Sequence, residues 1–169
     1  MGNNKICIVP GVFDPVTVGH IDVIVRAAEL FDKIYVVSFK NSAKKTMFNL
    51  DERREILNLA CEEINKNQII VDAADELLAD YAKSKGANYI VKGVRNVIDY
   101  EYEYDLYMIN REIGESIETL FFPAKPEHLY ISSTFVREMI RYGRDISNYV
   151  PRKAADYIKE IMKNKKSDM

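Results

Sequence analysis

The stretch Val9 to His20, Val-Pro-Gly-Val-Phe-Asp-Pro-Val-Thr-Val-Gly-His, constrains this chain more than any other, because it marks an abrupt change of hydrophobic period. Before it, Lys5 to Val9 is a short apolar run closed by Pro10-Gly11, the pattern of a buried strand. After it, Ile21, Ile24, Val25 and Ala28 fall on one face of a helix. Strand, glycine-bearing loop and helix in that order predict the opening of an α/β fold.

The alternation continues. Ile34 to Phe39 reads as a second strand, followed by a polar loop from Lys40 to Met47. Asn49 with Glu52 forms a capping-box pattern ahead of the helical face Leu57, Ala60, Cys61 and Ile64. Gln68 to Val71 is a third strand, a helix from about Asp75 stops before Gly86, and Tyr89 to Val91 is a fourth strand ending at Lys92-Gly93. Glu118 to Phe122 supplies a fifth strand. Ser133 to Tyr142 and Pro151 to Met162 supply the last helices, with a frayed tail expected from Lys163 to Met169. Parallel neighbours need crossovers, and helices provide them, so the expected fold is a single doubly wound, mainly five-stranded parallel sheet with Rossmann-like character. At 169 residues and 47% apolar composition, one domain spanning 1–169 is expected.

The segment Asp99 to Ile113 stands apart, with Tyr100, Tyr104 and Tyr107 on one helical face and Tyr102, Leu106, Ile109 and Ile113 on another. Such a helix wants cover on several sides, as a packed central helix or at a subunit interface, and an oligomer is expected.

A net charge of −2 gives no basic field for nucleic acid, so any phosphate site must be local. Cys7 and Cys61 have neither disulfide nor zinc spacing and read as buried thiols. With no leader pattern and no apolar run near the ~20 residues that span a bilayer, a soluble cytoplasmic protein without membrane contact is expected.

In an open parallel sheet, ligands gather at the carboxyl ends of the strands. Gly11 and Gly19 bracket the first loop there, Thr17 can cap the helix, and His20 falls in its first turn. His20 taken alone reads as a helix-end hydrogen bonder. With Lys44, Lys45, Lys92 and Arg95 also expected just beyond strand ends, it reads as part of an anion site. Ser132-Ser133-Thr134, opening another helix, is either a plain cap or a second anion seat. The chain has no GxxxxGK[ST], GxGxxG, HExxH or GxSxG pattern, which weakens kinase, dehydrogenase, zinc-protease and esterase readings.

Pro10-Gly11-x-Phe13-Asp14-Pro15-x-Thr17-x-Gly19-His20 resembles the signature of the TxGH/HxGH nucleotidylyltransferases, and Ile131-Ser132-Ser133-Thr134-x-x-Arg137 resembles their second signature. Within that superfamily the chain is most similar to the bacterial phosphopantetheine adenylyltransferases. The similarity rests on Ser42-x-Lys44-Lys45-x-Met47-Phe48, Lys92-Gly93-Val94-Arg95, and Asp99-x-Glu101-Tyr102-Glu103 with Met108-x-Asn110-Arg111. The resemblance implies a nucleotidylyltransferase fold and attack by 4′-phosphopantetheine on the α-phosphorus of ATP, giving dephospho-coenzyme A and pyrophosphate. It assigns His20, Lys44 and Arg95 to catalysis, and implies Mg²⁺ accompanying ATP, no metal-binding protein residues and a hexamer. Val12, Phe13, His20, Gly93, Val94, Arg95, Glu103, His128, Leu129, Tyr130, Ile131, Ser132, Ser133 and Thr134 would surround ATP. Val12, Lys44, Leu78, Lys92 and Asn110 would contact the acceptor. Two positions depart from the pattern: Val12 replaces the usual threonine or serine and keeps only its N–H, and Lys92 replaces a frequent arginine, trading a fork for a point charge. Two other readings stay open, a different phosphate acceptor within the superfamily, or a weakened nucleotide- or coenzyme-A-binding homologue.

Overall fold

The computed structural model describes residues 4–41, 45–114 and 117–167. Five strands, β1 (Ile6–Gly11), β2 (Lys33–Phe39), β3 (Ile69–Ala74), β4 (Tyr89–Val94) and β5 (Glu118–Pro123), form one sheet in the order β3-β2-β1-β4-β5. Every pairing is parallel. The helices between them are α1 (Val18–Ala27), α2 (Leu50–Glu62), α3 (Leu78–Lys85) and α4 (Val97–Gly114). A short 3-10 turn, Pro126–His128, then leads to α5 (Ser133–Arg141) and α6 (Arg152–Ser167). The doubly wound α/β fold expected from the alternation is the one observed.

Side-chain alternation along the strands divides the core. Cys7, Val9, Ile34, Val36 and Val91 join the layer under α1, α2, α5 and α6, whereas Ile8, Tyr35, Val37 and Ile90 join the layer under α3. Registers lock these layers together, with Ile8 opposite Tyr35 on one side and Ile90 on the other. The chain leaves β1 toward β2 and later returns to β4 on its other side, so the switch point lies between the carboxyl ends of β1 and β4.

Several elements run past their expected ends. β4 continues through Lys92 and Gly93 to Val94 because β5 extends beside it, pairing Lys92 with Phe121 and Gly93 with Phe122. Lys92 therefore lies within a strand and not after one. α1 begins at Val18 because Thr17 caps it, three residues before the periodicity becomes apparent. α3 starts at Leu78, not near Asp75, and ends as expected at Gly86, whose φ of 65° suits glycine. α6 is not frayed at Lys163 but runs to Ser167, where the Lys165 ammonium donates to Glu52 at 2.8 Å.

α4 removes one of the two readings of the tyrosine-rich segment. None of its side chains is buried, so it is not a centrally packed helix within the chain. Among the described residues, no helix is long and apolar enough to cross a membrane.

Candidate phosphate-handling site

At the end of β1 the chain turns sharply through Phe13, whose φ of 49° is unusual for a bulky side chain and holds roughly 1–3 kcal/mol of strain. This conformation lays the Phe13 ring against Gly11, where a Cβ would stand 2.9 Å from Phe13 Cζ, so glycine is required there by close approach. The same ring meets the imidazole of His20 edge-on, with centroids 5.1 Å apart. Gly19 is needed less strictly, since a Cβ there would make only ordinary contact with His128.

Thr17 and His20 form a reciprocal cap of α1. The Thr17 hydroxyl accepts the His20 backbone N–H at 3.4 Å, and His20 Nδ1 accepts the Thr17 backbone N–H at 3.0 Å. A neutral imidazole whose Nδ1 accepts carries its proton on Nε2. Burial, then the positive charges of Arg95 and Lys92, lower the His20 pKa to about 4. The helix-end reading of His20 is the one observed, and the cap fixes the tautomer that leaves the ring's N–H on Nε2.

Two of the expected cations flank this donor. Lys92 pairs with Glu103 of α4 at 2.9 Å. Arg95 forks onto Asp99, Nε to Oδ2 at 2.8 Å and Nη2 to Oδ1 at 3.1 Å, while Nη1 points to the Ile131 carbonyl at 3.5 Å. Asp99 and Glu103 are one turn apart on α4 and present both carboxylates to the same edge. Arg95 holds the Asp99 carboxyl below its ordinary range. Lys45 is exposed, and Lys44 lies outside the described residues.

The three hydroxyls opening α5 are all engaged with protein. Ser132 caps the helix by accepting from Phe135 N, Ser133 donates to the Pro15 carbonyl at 2.8 Å, and Thr134 accepts from Arg137. Ser132 thus caps the helix through its side chain, and Ser133 fastens α5 to the loop before His20. His128 packs over Gly19 with its Nδ1 buried and unpartnered, Leu129 and Tyr130 are exposed, and Ile131 is buried. Gly93 has a structural reason independent of any ligand, since a Cβ would approach Val23 Cγ2 of α1 to 2.8 Å. Leu78 packs against the buried core layer under α3, and Asn110 is half-buried on α4. Neither is joined to the His20 cluster by a contact described above.

Sequence reasoning missed the groups behind the loop. Arg53 of α2, 2% exposed, donates through Nη1 to the carbonyls of Val12 (2.6 Å) and Phe39 (3.0 Å) and to Ser38 Oγ (3.0 Å). Ser38 also donates to the Val12 carbonyl. One signal was available: Arg53 shares the helical face of Leu57, Ala60, Cys61 and Ile64, a charge on an apolar stripe.

Residues 8–139 match the family model described as cytidylyltransferase-like. The chain is 42% identical over 159 residues to a phosphopantetheine adenylyltransferase of Caldanaerobacter subterraneus subsp. tengcongensis, covering 94% of this chain and 98% of that one. It is also 42% identical over 166 residues to a phosphopantetheine adenylyltransferase of Streptococcus pneumoniae, covering 98% and 99%. Its fold matches that of a bifunctional NMN adenylyltransferase/ADP ribose pyrophosphatase from Francisella tularensis, with a TM-score of 0.75 at 13% identity, over 95% of this chain and 50% of that one. By its sequence, then, this chain belongs to the cytidylyltransferase-like family and, within it, to the phosphopantetheine adenylyltransferases.

Proposed function

We propose that the chain transfers the adenylyl group of ATP to 4′-phosphopantetheine, forming dephospho-coenzyme A and releasing pyrophosphate, as the names of its relatives suggest. The observation that carries the reading is an Nε2–H donor on His20, under the charges of Arg95 and Lys92, at the β1/β4 switch point. An acceptor phosphate oxygen forms a new bond to the α-phosphorus while the bond to the bridging oxygen of the β-phosphate breaks and pyrophosphate departs. The nucleophile is already anionic near neutral pH, so the site needs no general base, only positioning and stabilisation of charge.

In this reading His20 donates from Nε2 to the α-phosphate as charge builds there. Lys92, with Lys44, holds the attacking phosphate, and Arg95 with the start of α5 at Ser132, Ser133 and Thr134 takes the ATP phosphates. Val12, Phe13, Gly93, Val94, Glu103 and His128 to Ile131 border the nucleotide, and Leu78 and Asn110 the pantetheine arm. Magnesium enters bound to the ATP phosphates, whose oxygens are its natural ligands. Subunits associate through α4, on which Ile109 (54% exposed) and Ile113 (45%) stand exposed on one apolar face, and a hexamer is the expected assembly. The cytoplasm is the expected compartment.

The test is pyrophosphate release from MgATP with 4′-phosphopantetheine, alongside nicotinate mononucleotide, glycerol phosphate and CTP as competing substrates. Turnover confined to ATP and phosphopantetheine supports the reading, and its absence with purified protein overturns it. Val12→Thr then separates an active enzyme from a weakened homologue. A modest gain is expected, whereas a large gain from a nearly dead protein favours the binding homologue.

A further inference from the structure

Asp14 belongs to the first signature and lies between Phe13 and the site, where a carboxylate would ordinarily be taken for a base or a magnesium ligand. Its geometry excludes both. The residue is 3% exposed, and each oxygen is already committed. Oδ1 accepts from the Phe48 backbone N–H at 3.0 Å, and Oδ2 accepts from the Met47 N–H at 2.9 Å. Arg137 of α5 stands 3.5 Å from Oδ2 and donates its Nη1–H to the Asp14 carbonyl at 2.7 Å. The positive charge of Arg53 also acts on it.

Three separate segments meet at this one side chain: the loop that carries Phe13 and His20, the Met47–Phe48 segment that leads into α2, and α5. The loop and α5 handle phosphate in the proposed reading, and the Met47–Phe48 segment follows Lys44 in the sequence; the loop is also tied to β2, where Ser38 donates to the Val12 carbonyl. We propose that Asp14 is a positioning residue, whose carboxylate sets the placement of the His20 loop against the Met47–Phe48 segment and α5. The inference rests on the adenylyl-transfer reading for its catalytic consequence, but not for its structural one. Asparagine has the same shape as aspartate yet turns an N–H₂ donor toward one of the backbone donors, so it breaks half of the bracket without creating a cavity.

Two measurements on Asp14→Asn test it. Hydrogen exchange needs no turnover: the Met47 and Phe48 amides should exchange at least about tenfold faster, with protection in β1 and β4 unchanged. Unchanged exchange at Met47 and Phe48 overturns the proposal. The second is a double-mutant cycle with His20→Ala, in which Asp14→Asn should lower kcat at least about tenfold with His20 present and less than about threefold without it, leaving the magnesium dependence in place. An equal loss in both backgrounds, or a shifted magnesium midpoint, overturns it. Should Asp14→Asn fail to fold, Arg137→Met, which removes the α5 arm alone, is carried through the same cycle with the same expected outcome. If the unaltered protein shows no turnover, the functional reading fails while the exchange measurement still decides the placement.

Discussion

His20 Nδ1 accepts the backbone N–H of Thr17 at 3.0 Å, so one ring nitrogen closes the first turn of α1 and the other carries the ring's proton. Replacing His20 by alanine removes that donor. The expected loss in kcat is about 10²-fold, the usual worth of one donor to developing charge, with the KM for ATP changed less than about threefold. Steady-state kinetics check it, and equal losses in both constants would contradict the role given to Nε2.

The same ring makes stability depend on pH. Its pKa falls from an ordinary 6.5 to about 4 in the folded chain, so the unfolded chain binds the proton first as pH drops. The neutral imidazole's contribution is complete above about pH 6.5 and is lost as pH falls toward about 4. Urea unfolding at several pH values should show this slope in the unaltered protein and a shallower one in His20→Ala.

Arg53→Ala should destabilise the fold by about 3–5 kcal/mol, because it strips a charge-assisted donor from two carbonyls and leaves Asp14 with less countercharge. Chemical denaturation measures the loss. Arg53→Lys should recover only part of it, since the ammonium must be carried on a stem of different length and shape to the one point where Nη1 gathers its three acceptors.

Gly93→Ala should cost about 1–3 kcal/mol, since its Cβ would press on Val23. Val23→Ala makes room, so the double variant should be less unstable than the two separate losses predict. Simple additivity in a denaturation cycle would show that Gly93 is not held by this contact.

Cys7 and Cys61 are buried, and burial pushes both thiols up to about 12. A thiol reagent at neutral pH should label neither in the native protein and both after unfolding, with the native rate following the opening of the fold.

The sheet was legible because buried parallel strands and amphipathic helices differ in period, and Asn49 with Glu52, Thr17 and Gly86 announced their helix ends in the expected chemistry. Strand ends were not, since β4 extends to Val94 only because a distant strand lies beside it. Within the site, His20, Lys92 and Arg95 could be found from their positions after apolar runs. The convergence on Asp14 could not, because it joins segments up to 123 residues apart, whereas Arg95 and Asp99 stand only four residues apart. α4 shows the limit most plainly: its period is clear, yet nothing local says which of its faces the same chain will cover.

Lys92 and Arg95 are already matched, one to Glu103 and the other to Asp99. In the proposed reading an arriving phosphate does not meet bare cations; it must outcompete carboxylates that are tethered by a helix and cannot diffuse away. The affinity of this edge is therefore an exchange between two kinds of anion, in which a polyanion such as a triphosphate outbids the tethered pair more readily than chloride or a lone monoanion does.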